Sequence, residues 1–436
     1  MKTLGLDIGT TTISAVVAED GVVLSAVTLK NDSFLSTANA WERIQDPDYI
    51  RKTALQAVEQ LLAEHPDASR IGVTGQMHGI VYLDANGTPV SPLYTWQDGR
   101  GDLPYDGENT YAQHLSRLTG YALATGFGMV THFYNLKNGL VPENTAVFCT
   151  IHDYLAMILA GAVSPVIDAS DCASFGLFCV EKGYYDEAAL QLAGIDTTIL
   201  PAVAATPYIG LYQNRIPVFA AIGDNQASFL GATGGETDCM LVNVGTGGQF
   251  SVFTDSYMQC PGLETRPFPG GGYLIVGASL CGGRAYALLE GFLRDVLQQI
   301  GNVQIGSCYD AMDMILAQQE KPSNLPCTVP LFQGTRECPT LRGSITGLAP
   351  ENLTVRHLIW SFLEGIAQEL HDMFAQYAAQ GGIPRKLIGS GNGLRKNPHL
   401  QACFAEAFGQ ELTMSACTEE AATGAALYAA DAAFLI

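Results

Sequence analysis

The stretch "AIGDNQASFLGA", residues 221–232, holds Asp224 between Gly223 and Asn225, where an apolar run gives way to a small-residue helical pattern. Aspartate at such a junction is a favoured helix N-cap. It is equally a general-base candidate: an accepted hydroxyl proton needs only a carboxylate within hydrogen-bond reach, and Gly223 lets a substrate come close. Asp7 ends the first apolar run, where a carboxylate either caps a turn or meets a cation. The expectation is Mg²⁺, held through water. Two turns, Gly9-Thr10-Thr11 and Gly245-Thr246-Gly247, offer amides and threonine hydroxyls to phosphate oxygens. "TGQMHG", residues 74–79, presents Gln76, Met77 and His78; "YTWQDGRG", residues 94–101, adds Trp96, Gln97, Asp98 and Arg100. An aromatic face among polar groups suits a polyol. In "GSGNGLRKNP", residues 389–398, Gly389 and Gly391 allow main chain beneath an adenosine, and Asn392 or Asn397 offers a hydrogen bond.

Together these supply what phosphoryl transfer to a hydroxyl requires: cradled phosphates, a divalent cation, a carboxylate and an acceptor pocket. The chain contains no GxxxxGK[ST], which excludes the P-loop class, and the glycine-rich segment "GSGNG", residues 389–393, comes late in the chain without a dinucleotide-fold context, which counts against NAD. Plainer roles stand beside several of these residues. Either Gly-Thr segment alone is an ordinary hairpin turn, Asp98 and Arg100 form a surface ion pair, His78 is a satisfied structural histidine, and Met77 packs.

The elements that must position these groups are legible from periodicity. Residues 3–8, 13–18 and 22–29 alternate as a strand meander, and residues 49–65 have helical spacing. "RIGVTG" reads as a buried strand, and "GIVYLDANGTPV" as a strand turning at Asn86-Gly87. Residues 218–222 are strand-like again; helices follow at about 281–300, 309–319 and 354–380. The last places Ile359, Trp360, Leu363, Ala367, Leu370, Phe374 and Tyr377 on one core face. "DIGTTTISAVV", residues 7–17, is echoed by "NVGTGGQFSVF", residues 243–253, which predicts two related domains, each offering a hairpin. The expected division is 1–222 and 223–436, in an α/β chain.

Composition narrows the partners. The net charge of -21, from 43 acids against 22 bases, disfavours nucleic acid and anionic membrane. The N-terminus reads as neither signal peptide nor membrane span. Eleven scattered cysteines without a CxxC predict reduced thiols in a cytoplasmic protein, with no cysteine-bound metal. A self-association surface is not legible in the pattern.

"DIGTTT", "GQMHG", "TWQDGR", "AIGDNQASFLGA", "NVGTGG", "GTRECPTLRGSITGL" and "GSGNGLRKNP…AATGAAL" stand in the order seen in the FGGY carbohydrate kinases, which the chain resembles over nearly its whole length. The resemblance implies a two-domain actin-like, ribonuclease H-like ATPase fold with an interdomain active-site cleft for ATP, Mg²⁺ and a ketose sugar. It implies Asp224 as catalytic base, Asp7 and the first Gly-Thr turn on metal and phosphate, residues 245–247 on the terminal phosphates, and residues 389–392 at the adenosine. "GQMHG" is shared with the xylulokinase branch. "TWQDGR", "ATGFGMVTHFYNLKN", "TIHDYLAMIL" and "ASDCASFGLF" are similar to the sedoheptulokinase branch. The implied reaction is phosphorylation of the C7 hydroxyl of sedoheptulose, with a pentulose or another polyol as the alternative acceptor. A nucleotide-switched binding protein is the alternative outside the enzymes. "GTREC" replaces the family's usual Gly-Glu-Arg pattern.

Overall fold

The computed structural model describes residues 1–431 apart from 319, 336, 337 and 339. Residues 336 and 337 of "GTREC" therefore lie outside the described residues, as does the predicted helix end at 319. Two compact units divide the chain. One comprises Met1–Glu236, Arg266–Tyr273 and Cys417–Ile436; the other comprises Thr237–Thr265 and Leu274–Ala416. This differs from the expected 1–222 and 223–436. The helix that Asp224 begins and the last helix of the chain pack on each other and on the first sheet, so both stay with the first unit.

The first unit is built on a seven-stranded sheet. Its strands are β1 (Lys2–Ile8), β2 (Thr12–Glu19), β3 (Val22–Lys30), β4 (Ile71–Gly75), β5 (Tyr208–Tyr212), β6 (Ile216–Phe219) and β7 (Ile222–Gly223). The order is β5-β6-β4-β1-β2-β3, with β7 also on β4. β1 runs antiparallel to β2 and parallel to β4, which aligns Asp7 with Ser14 on one side and Thr74 on the other. Leu4, Leu6 and Ile8 point into an apolar core shared with α1 (Pro47–Glu64) and α2 (Ile151–Leu159). Alternation along the strand sends Gly5 and Asp7 to the opposite face.

On that opposite face the packing is backbone against backbone. α3 (Ala169–Phe175) lies farther along the chain; α4 (Asp224–Thr233) is the helix that follows β7. A Cβ added to Gly5 would come within 1.8 Å of the Ala422 carbonyl oxygen, and one added to Gly72 within 1.9 Å of that of Ala425. Ala422 and Ala425 belong to the terminal helix, Glu420–Asp431. That helix meets α4 through Gly424, whose added Cβ would lie 1.7 Å from the Ala227 oxygen, and Gly231, 1.9 Å from that of Glu420. The small-residue pattern at the C-terminus thus has a steric cause.

The second unit repeats the plan. β8 (Cys239–Val244) pairs antiparallel with β9 (Gly248–Thr254) and parallel with β12 (Lys386–Ser390), in a six-stranded sheet with β10 (Glu264–Pro267), β11 (Tyr273–Ser279) and β13 (Leu412–Met414). Asn243 occupies the register of Asp7: it faces Gln249 and Ser390 as Asp7 faces Ser14 and Thr74. The predicted repeat is therefore structural. A helix from Gly282 to Gln299 and one from Val355 to Gly381 cover this sheet, and all seven positions predicted for the core face of the longer helix are buried. The eleven cysteines are free thiols, most of them buried. Among the described residues no helix is long and apolar enough to cross a membrane.

Glycine position should separate contact from propensity. Gly424→Ala is expected to force two helices apart and destabilise the chain by about 1–3 kcal/mol in urea melts. Gly291→Ala, in a helix where an added Cβ meets nothing within 4 Å, is expected to stabilise it by about 0.5–1 kcal/mol.

Candidate active site

Asp224 is the first residue of α4, but it is not the N-cap. Gly223 holds the cap position, and no side chain caps the helix. The capping explanation therefore fails for this carboxylate, which stays half-buried with part of its surface open. Burial raises its pKa, while His152, Arg266 and the Asn225 backbone N–H act in the opposite direction. Gly223 is hemmed in: its backbone N–H donates to Ser170 Oγ at 3.1 Å. A Cβ there would fall 2.7 Å from Met77 Cε and from Gln226 Oε1. Met77 is thus packing that presses on the strand end before Asp224, as its plainer role anticipated.

Asp7 is also half-buried. Its pKa is pushed up to about 7, first by burial and then by the carboxylates of Asp224 and Glu419. Glu419 was not singled out from the sequence. It precedes the terminal helix and accepts a hydrogen bond from Thr28 Oγ1 at 3.3 Å. The stretch around it, "CTEEAATGAAL", carries no sequence signal beyond the small residues of a closing helix. A carboxylate group this short of positive charge fits a divalent cation bound through oxygen.

The first Gly-Thr turn is fastened by residues the sequence reading missed. The carbonyl of Gly9 accepts from Asn31 Nδ2 at 2.9 Å, that of Thr10 from Gln45 Nε2 at 2.9 Å, and that of Thr11 from the Asn31 backbone at 2.9 Å. Gln45 also accepts from Gln76 Nε2 at 2.9 Å. Thr10 Oγ1 donates to Gln76 Oε1 at 3.3 Å and accepts from Trp96 Nε1 at 3.0 Å. The indole is 46% exposed, so its nitrogen is anchored while a ring face remains available. Gln76 is buried and Gln97 exposed. The structure brings Thr10, Gln76 and Trp96 into one connected group.

His78 has a left-handed backbone, φ 71°, unusual for a residue with a side chain. It is held by Ser174, which receives the His78 N–H at 3.2 Å and pairs its carbonyl with Nδ1 at 2.7 Å. The ring stacks on Phe127 at 4.6 Å. Asp98 and Arg100 form an ion pair, but not on the surface: they are 0% and 3% exposed, with Arg100 Nε 2.6 Å from Asp98 Oδ1. The guanidinium also reaches Asn135 and lies 4.1 Å from the Tyr94 ring centroid. Asp98 Oδ2 accepts from the Arg43 backbone at 3.0 Å. Both groups are enclosed, so they brace the loop bearing Trp96 rather than presenting donors to a sugar. Tight spacing in sequence revealed the pair; burial depended on partners far along the chain.

In the second unit, the turn 245–247 is fastened in the same sense. Its carbonyls accept from the backbone N–H groups of Gly283, Arg284 and Gly245, at 2.9, 3.0 and 3.0 Å. Added Cβ atoms on Gly282 and Gly283 would approach the Gly247 and Gly245 oxygens to 2.3 and 2.4 Å, which explains the glycine pair. Thr246 is exposed, and a Cβ at Gly245 would meet nothing within 4 Å. At the end of β12, Gly389 is buried against Leu412 and Met414. Gly391, at φ +85°, would bring a Cβ 2.5 Å from the Val244 oxygen, and Asn392 follows exposed at a helix start. Asn397 departs from its expected role: it N-caps the helix Pro398–Phe408, its Oδ1 accepting from Leu400 N at 2.9 Å, and is 7% exposed. A cavity of about 830 Å³ in this unit, walled by Leu325, Val329 and Met373 among others, includes none of the candidate residues.

With this geometry in view, comparisons with known proteins are specific. Residues 2–231 match the N-terminal domain, and residues 240–433 the C-terminal domain, of the FGGY family of carbohydrate kinases. A sedoheptulokinase of Mus musculus is 30% identical, with 98% of this chain and 96% of that protein covered; one of Homo sapiens is 31% identical with the same coverage. The crystal structure of xylulose kinase from Rhodospirillum rubrum superposes with a TM-score of 0.84 at 22% identity, covering 99% of this chain and 90% of that one, a likeness of fold alone. Matches to both family domains across nearly the whole chain lead to one assignment: this protein belongs to the FGGY family of carbohydrate kinases, with the mixed α/β, actin-like two-domain fold of that family.

Proposed function

We propose that the protein is an ATP-dependent ketose kinase that phosphorylates a terminal hydroxyl, with sedoheptulose as acceptor and sedoheptulose 7-phosphate as product. The observation that carries the reading is the Asp224 carboxylate, which begins a helix, caps nothing and keeps an open face beside Arg266 and His152. The choice of a heptulose is supported by the relatives about 30% identical over nearly their full length, both sedoheptulokinases.

In this reading Asp224 accepts the hydroxyl proton as the bond to phosphorus forms. The Trp96 ring face receives the C–H edges of the sugar, with Gln76 and His78 for its hydroxyls, while Asp98 and Arg100 hold the Trp96 loop. The amides of turn 9–11 and those of Thr246 and Gly247 donate to phosphate oxygens; the Gly245 N–H is already given to the Gly247 carbonyl, and the carbonyls of both turns are occupied. Gly389, Gly391 and Asn392 serve the adenosine. Asp7 is the residue assigned to Mg²⁺, with Glu419 beside it. When bound, Mg²⁺ neutralises charge on the phosphates.

The test follows ADP formation with Mg-ATP against sedoheptulose, D-xylulose, D-ribulose, L-ribulose, glycerol and no acceptor. Turnover should depend most strongly on sedoheptulose. Asp224→Asn should lower kcat by about 10²–10⁴-fold with little change in the KM for ATP. A pentulose preference would keep the mechanism and replace the substrate. No acceptor dependence at all would sink the kinase reading in favour of a nucleotide switch. Trp96→Ala should raise the sugar KM by about tenfold, the loss of roughly 1.5 kcal/mol of apolar contact.

The raised pKa of Asp7 gives a pH signature. Folding favours its protonated form, so that contribution to stability is present at low pH and is lost as pH rises through about 7. Thermal melts without metal should therefore fall across that window, and Mg²⁺ should restore them. Mg²⁺ affinity, read by calorimetry, should drop about tenfold per pH unit below 7 and level off above it; Asp7→Asn should flatten the profile.

A further inference from the structure

Behind Asp224 lies a group of side chains for which neither the mechanism nor the sequence pattern accounts. His152 and Asp153 stand in the first turn of α2, and Asp171 in the first turn of α3. Their exposures are 0%, 1% and 0%. Each offers one ligand atom, and these atoms all lie within 4.8 Å of one another. Both ring nitrogens of His152, both oxygens of Asp171 and Oδ1 of Asp153 lack a hydrogen-bond partner. Asp153 Oδ2 is already taken by Thr150 Oγ1 at 2.7 Å, which aims the empty oxygen inward.

Two carboxylates buried side by side with bare oxygens would cost several kcal/mol each unless something positive sits among them. One imidazole carries at most one charge, too little to offset two carboxylates. His152 Nε2 is 2.9 Å from Asp171 Oδ2, yet the two atoms are not directed at each other as donor and acceptor. That spacing is what two neighbouring ligands of a single ion show, since metal–ligand bonds of about 2.1 Å at right angles put ligand atoms about 3.0 Å apart. Asp168, the adjacent carboxylate, does not belong to this group; its Oδ1 accepts from the N–H and hydroxyl of Ser170.

We propose that His152, Asp153 and Asp171 bind a buried divalent cation of the mixed nitrogen and oxygen class, Mn²⁺ or Zn²⁺, separate from the ion assigned to Asp7. The cation joins α2 to α3. From α3, Ser170 receives the Gly223 N–H immediately before Asp224, and Ser174 fixes the strained His78. A tie between these helices therefore positions both Asp224 and His78, while the ion's charge lies near the Asp224 carboxylate. The binding claim does not depend on the identity of the sugar, nor on catalysis.

The test uses the full chain expressed with Mn²⁺ supplementation and desalted through EDTA, which strips an open site faster than an enclosed one. Elemental analysis should find a stoichiometric divalent metal. Pulsed electron paramagnetic resonance of the retained Mn²⁺ should show coupling to an imidazole nitrogen, which an all-oxygen site at Asp7 cannot produce. Asp7→Asn should keep the metal and the coupling. His152→Gln should lose the coupling and at least about tenfold of the retained metal, and Asp171→Asn should lose the metal to a similar extent, with circular dichroism verifying the fold of each. Wild-type protein that retains no divalent metal, or Mn²⁺ without nitrogen coupling, overturns the proposal and leaves the carboxyls neutralised by protons. Coupling that persists in His152→Gln overturns it as well.

Discussion

Contact between backbones with no side chain between them organises the first unit. Gly5 and Gly72 let the terminal helix Glu420–Asp431 rest on β1 and β4, while Gly231 and Gly424 let it cross α4 at the same distance. Any Cβ at these four points would overlap a carbonyl oxygen. The contact is therefore sterically exclusive, and packed interiors transmit such displacement rather than absorb it. Asp7 lies two residues beyond Gly5 on the same strand face, Asp224 begins α4, and Glu419 immediately precedes the terminal helix. Asp7 and the two carboxylates that raise its pKa, Asp224 and Glu419, are thus assembled by glycine contacts.

The second organising feature is electrostatic. Asp7 and Asp224 are half-buried, crowded enough to favour protons yet open enough for a ligand. A chain with net charge -21 has no general field to attract an anionic nucleotide. In the proposed reading local devices do so: two turns whose carbonyls are occupied by protein donors, the carboxylates around Asp7 that would hold a cation, and Arg266 beside Asp224. The unit repeat shows how one scaffold was given two tasks. At the register position where the first unit has Asp7, the second has Asn243, which offers hydrogen bonds without charge.

Enclosure redistributes roles among the polar residues. Asp98 and Arg100 look like contacts in a linear reading because they closely follow Trp96. Folding brings Arg43, Tyr94 and Asn135 around them and turns the pair into a brace. Asn397 is consumed in the same way by a helix start. Gln45, Asn31 and Glu419 move in the other direction: each sits in an unremarkable stretch, yet secures the first Gly-Thr turn or crowds Asp7.

Properties carried by spacing along the chain were determined by the sequence alone. Periodicity set the strands of both hairpins and the core face of the long helix, and two copies of a Gly-Thr pattern declared a repeated domain. Motif order along the chain identified the family through segments that keep their residues together. Tertiary structure decided whatever depended on which distant atoms meet. It made Gly223 rather than Asp224 the helix cap, buried the Asp98–Arg100 pair, returned residues 417–436 to the first unit, and set His152 and Asp153 against Asp171. The physical reason is common to all four. Burial, capping and charge coupling depend on through-space distance at the scale of a hydrogen bond, whereas sequence patterns report only distance along the chain.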